Sequence, residues 1–144
     1  DHILGVNSVR QRTGAKVLIH KDETLDQINE IMQFFGLGNV EKPVCDGTVS
    51  DGDVIKLGSK EIKVIHTPGH TKGGVSYLID DKLFSGDTLF KGSVGRCDLP
   101  GSNFNQMQKS IEKLFKLPNE TQVYPGHNDI TTIGYEKIHN DIMI

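Results

Sequence analysis

Two histidines in the sequence directly follow a Pro-Gly pair at the end of an apolar segment. Residues 64–70 read Val-Ile-His-Thr-Pro-Gly-His, and residues 123–127 read Val-Tyr-Pro-Gly-His. A Pro-Gly turn at the end of a strand presents the next side chain on a rigid base at the rim of a sheet, where a metal ligand is well placed. His70 and His127 are therefore candidate metal ligands.

Further polar groups could complete such a site. Asp87 follows a short apolar strand and Gly86, a residue whose conformational freedom lets the backbone turn. The sequence opens on Asp1-His2 before a predicted helix, where the aspartate could cap the helix and the histidine could bind a metal. Imidazoles combined with carboxylates suit zinc, iron or manganese in a hydrolytic or oxidative site.

Other residues of chemical interest are predicted to be structural. We expect His20 and His66, at the end of one strand and inside another, to be hydrogen-bonded, and His139 to lie on the polar face of a helix. Nothing in the sequence marks an activating base for Cys97, which predicts an inert thiol. Residues 92–95 lack the lysine and hydroxyl of a P-loop and are not expected to bind phosphate.

The composition limits the class of protein. The sequence has 144 residues, of which 35% are hydrophobic and 24% charged, as expected for one soluble domain spanning residues 1–144. No apolar segment approaches the roughly 18 residues of a membrane span. The formal net charge of −3 is spread without a basic patch, which argues against nucleic-acid binding. Two isolated cysteines and the lack of a basic-then-apolar leader predict a cytoplasmic protein.

Hydrophobic periodicity and turn residues predict the elements that position these side chains. Helices are expected at residues 3–13, 25–35, 104–115 and 132–142, and strands at 15–19, 54–57, 61–65, 75–79, 82–85 and 122–124. Residues 36–52 and 92–101 are expected to be irregular. Helices before, between and after mainly antiparallel strands predict a mixed α+β layered fold.

Four motifs, taken together, resemble the metallo-β-lactamase superfamily in its glyoxalase II-like branch. They are His66-Thr-Pro-Gly-His-Thr71, Phe84-Ser-Gly-Asp-Thr-Leu-Phe90, Gly95-Arg-Cys-Asp-Leu-Pro-Gly101 and Tyr124-Pro-Gly-His127. Asp1-His2 resembles the end of the His-x-His-x-Asp-His signature of that family, without its first two histidines. The resemblance implies an αββα sandwich, N-terminally truncated, in which helices flank mixed, mainly antiparallel sheets and a two-metal site lies at one edge.

The resemblance also implies a role for each candidate ligand. His70 would bind the first metal, and Asp87 would bridge the two metals. Asp1, His2 and His127 would complete the second site, with Asp1 and Asp87 also taking part in catalysis. Zinc is the expected metal, two ions in the full-length protein, with iron or manganese as alternatives.

The implied activity is hydrolysis of a small-molecule thioester of the S-acyl-glutathione type by a metal-bound hydroxide, as in hydroxyacylglutathione hydrolase. Arg96 would bind a carboxylate of the thiol part of the substrate, its alternative role being a surface cation. A mononuclear iron persulfide dioxygenase, with His70 and Asp87 as two of its three protein ligands, is a second interpretation, and an inactive fragment or structural module is a third. Because the histidines expected before Asp1 are missing from the sequence, we expect this chain alone to bind metal weakly.

Overall fold

The computed structural model describes residues 2–143, with the backbone alone for residues 27, 28 and 143. The helices are α1 (Val6–Thr13), α2 (Ile28–Phe34), α3 (Phe104–Leu114) and α4 (Ile133–His139), with 3-10 turns at Leu25–Gln27 and Asp141–Met143. The strands are β1 (Leu18–His20), β2 (Gly47–Val49), β3 (Val54–Leu57), β4 (Lys60–His66), β5 (Val75–Ile79), β6 (Lys82–Gly86), β7 (Leu89–Phe90), β8 (Ser93–Val94), β9 (Gln122–Pro125) and β10 (Thr131–Thr132).

Six strands form the main sheet, in the order β10-β9-β6-β5-β4-β3. Strands β6 and β9 are parallel, and the other neighbouring strands are antiparallel. The β3–β4 and β5–β6 hairpins turn through Gly58 and Asp80, at φ 60° and φ 53°, a left-handed backbone that glycine and aspartate tolerate. Two small sheets, parallel β1–β2 and antiparallel β7–β8, accompany the main one. The predicted mixed, mainly antiparallel arrangement is confirmed.

The core lies between α3 and one face of the main sheet. Met107, Ile111 and Leu114 recur at helical spacing along α3 and are fully buried in one cluster with Leu83 of β6 and Val123 of β9. The helix begins at its predicted cap, because the side chain of Asn103 accepts a hydrogen bond from the Gln106 N–H at 3.0 Å. This packing fixes the ends of β6 and β9 against a rigid helix.

Some predicted boundaries are wrong. Strand β2 forms inside the segment 36–52, and β8 forms inside 92–101. Neither strand was predicted, because strands of two or three residues are too short to show a period in the sequence. Strand β1 begins at Leu18 rather than at residue 15. The helices predicted at 25–35 and 132–142 each divide into an α-helix and a 3-10 turn.

Helix α1 depends little on apolar packing. It ends as predicted at Gly14, at φ 70°, yet none of its residues is buried. Its attachment to the rest of the protein is polar, as described below. Among the described residues, no helix combines the length and the apolar character needed to cross a membrane.

Candidate metal centre

Three predicted ligands follow strands whose carboxyl ends meet at the same edge of the main sheet. Strands β6 and β9 are parallel neighbours, and β4 runs in the same direction because both β4 and β6 are antiparallel to β5. His70 lies four residues after β4, Asp87 directly after β6, and His127 two residues after β9. The sheet topology therefore brings an imidazole, a carboxylate and a second imidazole to one place.

Asp87 lies at the centre of this group. His2 Nε2 is 3.2 Å and His127 Nε2 is 3.7 Å from Asp87 Oδ1, and the two histidine nitrogens are 3.1 Å apart. His70 Nε2 approaches the other oxygen, Oδ2, at 3.5 Å. The structure thus brings together four of the five predicted ligands and divides the histidines between the two oxygens of one carboxylate. Asp1, the fifth, lies outside the described residues.

The geometry of this group fits a cation. Asp87 Oδ1 is buried and accepts no hydrogen bond from the described residues. Residue 126 lines the same space, because a Cβ atom there would be 2.5 Å from Asp87 Oδ1 and 2.8 Å from His2 Cε1, so that only glycine keeps it open. Nitrogen and oxygen ligands about 2.1 Å from a tetrahedral zinc ion are about 3.4 Å from one another, close to the observed separations. The donor set therefore matches a zinc, iron or manganese ion.

The histidine tautomer at position 70 also suits metal binding. His70 Nδ1 lies 2.9 Å from the carbonyl oxygen of Arg96, which can only accept a hydrogen bond, so the proton is on Nδ1. The Nε2 lone pair is therefore left facing Asp87. Such an outer partner fixes both the orientation and the tautomer of a ligating histidine.

Comparison with known proteins agrees with the fold. The sequence model of the metallo-beta-lactamase superfamily matches residues 1–127. The chain belongs to the metallo-beta-lactamase superfamily. This membership confirms the α+β fold class predicted from the motifs.

Individual members of the superfamily resemble the chain over most of its length. The hydroxyacylglutathione hydrolase GloC of Haemophilus influenzae is 32% identical over 150 residues, covering 99% of this chain and 71% of GloC, which is consistent with the glyoxalase II-like branch. The structure of TTHA1623 in a di-iron-bound form has a TM-score of 0.85 at 33% identity, covering 98% of this chain and 71% of that one. ETHE1 from Myxococcus xanthus has a TM-score of 0.79 at 32% identity, covering 95% of this chain and 55% of ETHE1. The chain spans only about half the length of some matched relatives.

Buried hydroxyl groups connect the turns that carry His70 and Asp87. Thr67 Oγ1, before His70, lies 3.0 Å from Thr88 Oγ1, after Asp87, and 3.1 Å from Ser76 Oγ. All three side chains are nearly inaccessible to solvent. The His70 loop is also pressed onto α3, since a Cβ at position 69 would be 2.6 Å from the backbone of Met107. These contacts hold His70 and Asp87, the predicted ligands, on rigid bases.

Glu136 fixes the segment that follows Asp87. Its buried carboxylate accepts hydrogen bonds from the Gly92 N–H, the Asn140 side-chain amide and the Thr131 hydroxyl. It thereby fastens the β7–β8 turn to α4. Because the Gly92 N–H is used in this way, it is not available to a phosphate.

His2 is positioned through polar contacts of α1. Asp46 accepts two hydrogen bonds from Arg10, at 2.6 and 3.0 Å, and one from the Val17 N–H at 2.9 Å. The Arg10 hydrogen bonds, together with that of Val17, hold the pKa of Asp46 well below its ordinary value. Asn7 adds a hydrogen bond to the carbonyl of Lys42. Sequence reasoning missed this clamp, because its partners lie 29 to 36 residues apart and belong to no motif.

Arg96 lies beside the centre, but its side chain is already paired. Its Nε and Nη2 donate to the two carboxylate oxygens of Asp98, both at 2.7 Å. The guanidinium carbon lies 5.4 Å from the ring centre of Phe35 and 5.9 Å from that of Phe34. Phe35 is the last residue of the helix predicted at residues 25–35. It is 47% exposed and its ring lies next to Arg96.

A second group of metal-binding residue types consists of His20, Asp22 and His66. The two imidazole rings are stacked, with centroids 3.8 Å apart and planes at 12°. Parallel rings point their lone pairs side by side, so one cation cannot lie in the plane of both. Each ring makes the structural hydrogen bond that the sequence predicted: His20 Nδ1 accepts from the Asp22 N–H, and His66 Nε2 donates to the Lys72 carbonyl. Burial and the neighbouring His66 lower the pKa of His20.

The remaining candidates are peripheral. Cys97 is half-buried and its thiol donates to the Gly95 carbonyl at 3.4 Å. Burial raises the pKa of Cys97, which agrees with the predicted inert thiol. His139 is exposed on α4, with its ring 4.4 Å from that of Tyr135.

Proposed function

We propose that this chain carries the metal centre of a hydrolase that cleaves thioesters of the S-acyl-glutathione type. The observation that supports the proposal is the division of Asp87 between two sets of histidines. Oδ1 faces His2 and His127, whereas Oδ2 faces His70. A carboxylate that offers one oxygen to each of two neighbouring positions suits a bridge between two cations, which is an arrangement used for hydrolysis.

The proposed ligands follow from these distances. His2, His127 and Asp87 Oδ1, with Asp1, would hold one cation, and His70 with Asp87 Oδ2 would hold the other. When bound, a pair of divalent cations supplies a water of lowered pKa and polarises the thioester carbonyl. We propose zinc as the metal, with iron and manganese as alternatives that the same donors accept.

The residues of the chain have three further tasks in this proposal. The Arg96 carbonyl keeps the proton of His70 on Nδ1, so that Nε2 stays directed at Asp87. Asp1 would orient the attacking water through its carboxylate. Arg96 would bind a carboxylate of the thiol part of the substrate through its guanidinium, which Asp98 also contacts. Such a reaction needs no side-chain nucleophile.

A second candidate is persulfide dioxygenation at a single iron. The similarity to ETHE1, 32% identical over 95% of this chain, favours it. His70 and Asp87, whose Nε2 and Oδ2 atoms lie 3.5 Å apart, would then be two of the ligands of the single iron. Oxygen uptake with glutathione persulfide on the iron-loaded chain would identify this activity.

The test is S-lactoylglutathione hydrolysis by the chelator-treated chain after loading with zinc, iron or manganese in turn. We expect Asp87→Asn to lower the rate at least about 100-fold, because one of the two proposed bridging oxygens is replaced by an amide NH2 group that cannot bind a cation. His139→Ala is the control, since it removes an exposed histidine that is not among the proposed ligands. Equal rates for the Asp87→Asn variant and the unmodified chain, or no hydrolysis at metal concentrations high enough to saturate a weak site, would contradict the proposal.

A further inference from the structure

Arg96, Asp98, Phe34 and Phe35 form a platform beside the candidate metal centre, which we call the arginine platform. Asp98 accepts from both Nε and Nη2 of Arg96 at 2.7 Å, so the two charges neutralise each other. The aromatic rings stand edge to face with centroids 5.4 Å apart, and the guanidinium carbon lies within 6 Å of both. Cation–π contacts of this kind keep the guanidinium over the rings.

The arginine platform is joined to the centre through one residue. The carbonyl of Arg96 accepts the hydrogen bond of His70 Nδ1, so the backbone that carries the guanidinium also supports a proposed ligand. The side chains of Phe34 and Phe35 are 61% and 47% exposed. Exposed aromatic side chains next to convergent polar groups are typical of a surface that contacts a ligand.

Asp98 determines how much of the positive charge of Arg96 is available to a ligand. The side chains of Arg96 and Asp98 are 44% and 66% exposed, so the ion pair lies in water and is weak. A carboxylate arriving from solution can therefore bind Arg96, but it meets the negative charge of Asp98 and competes with it for the guanidinium. Asp98 is thus a competitor for the same donors that Arg96 would use on a substrate.

We propose that Asp98 is a specificity-determining residue that acts through Arg96 and weakens its hold on carboxylate-bearing thiol groups. The inference rests on the proposed role of Arg96 in substrate binding and adds the residue that tunes it. In this arrangement the chain discriminates little between thioesters with charged and uncharged thiol parts. Removing the charge of Asp98 would make it prefer the charged ones.

Binding of S-methylglutathione, which cannot be hydrolysed, tests the inference without any catalytic step. Titrations followed by NMR on the metal-free chain should show a Kd about threefold lower for Asp98→Asn than for the unmodified chain. Asp80→Asn is the charge-matched control, because Asp80 pairs with Lys60 at the β5–β6 turn and asparagine tolerates its left-handed backbone. In the Arg96→Gln background the Asp98→Asn effect should vanish.

Steady-state kinetics then distinguish the charge of the thiol part. For Asp98→Asn, we expect KM for S-lactoylglutathione to fall about threefold, KM for the uncharged S-lactoyl-N-acetylcysteamine to stay constant, and kcat to stay constant for both. An unchanged or higher Kd for S-methylglutathione in Asp98→Asn, or an equal effect in the Arg96→Gln background, would overturn the inference. Failure of hydrolysis with an intact binding result would instead count against the proposed function alone.

Discussion

The substitution Gly126→Ala offers a direct test of the candidate metal centre, because it fills the space between the proposed ligands. A Cβ atom at this position would lie 2.5 Å from Asp87 Oδ1 and 2.8 Å from His2 Cε1. The backbone of Gly126 is outside the left-handed region, so alanine is compatible with it. The change therefore acts on the ligands and spares the fold.

The size of the effect follows from these distances. Real Cβ atoms essentially never approach another atom within 3.0 Å, so Asp87 Oδ1 must recede by about 0.5 Å. Metal-ligand distances tolerate about 0.2 Å, and altering even an outer partner typically costs 10- to 100-fold in metal affinity. We expect Gly126→Ala to weaken zinc binding at least about 100-fold, or about 2.7 kcal/mol. The free energy of unfolding of the metal-free chain should change by less than about 1 kcal/mol.

The assay is competition for zinc between the metal-free chain and a chromophoric chelator, with urea unfolding measured in parallel. Gly5→Ala is the matched control, because Gly5 has a φ of −91° and a Cβ there would meet no atom within 4 Å. Zinc affinity of Gly126→Ala equal to that of Gly5→Ala and the unmodified chain would refute the metal assignment. A large loss of stability in Gly126→Ala alone would show that the packing argument is wrong.

Three further predictions concern stability. Glu136→Ala should lower the free energy of unfolding in urea by about 3 kcal/mol, because buried donors such as the Asn140 amide lose their acceptor; a loss below about 1 kcal/mol would contradict this. Hydrogen bonds from Arg10 depress the pKa of Asp46. The stabilisation that ionised Asp46 gives the folded chain is therefore complete above about pH 3.9 and is lost as the pH falls toward the folded-state pKa. The Tm of Asp46→Asn should thus be lower than that of the unmodified chain at pH 7 and converge with it in acid. Burial lowers the pKa of His20, so the free energy of unfolding should decline as the pH falls below about 6.5. His20→Phe should reduce this pH dependence, as measured by urea unfolding at several pH values. An unchanged pH dependence would count against the prediction.

Local chemistry explains why part of the site could be predicted from the sequence. His70 and His127 each follow a Pro-Gly turn at the end of an apolar strand, so their place at the rim of a sheet is a property of a few adjacent residues. Asp87 follows a glycine in the same way, at φ 50° for Gly86. The cap of α3 at Asn103 is equally local. Each of these features could be predicted without knowing which strands pair.

The parts that could not be predicted depend on contacts between distant residues. The hydrogen bonds of Arg10 to Asp46 join residues 36 positions apart. The ion pair of Arg96 with Asp98 is local in sequence, but the rings of Phe34 and Phe35 that contact Arg96 are about 60 residues away along the chain. Phe35 fits a helical stripe in the sequence, yet the chain turns at Gly36 and leaves its ring beside Arg96. Hydrophobic periodicity predicts which side chains a regular helix would bury, and it does not apply to a residue that lies beyond the end of the helix.

The four proposed ligands that the structure describes differ in how they are supported, and we expect this difference to decide which of them limits metal binding. His70, Asp87 and His127 follow strands whose side chains pack in the fully buried core beneath α3, so displacing them requires disrupting that core. His2 precedes a helix with no buried residue, which polar contacts at Asp46 attach to the rest of the protein. Exposed polar contacts open more readily than a packed core. The preorganised part of the candidate centre is therefore the carboxylate with the two strand-end histidines, and His2 is the proposed ligand whose position costs the least free energy to lose.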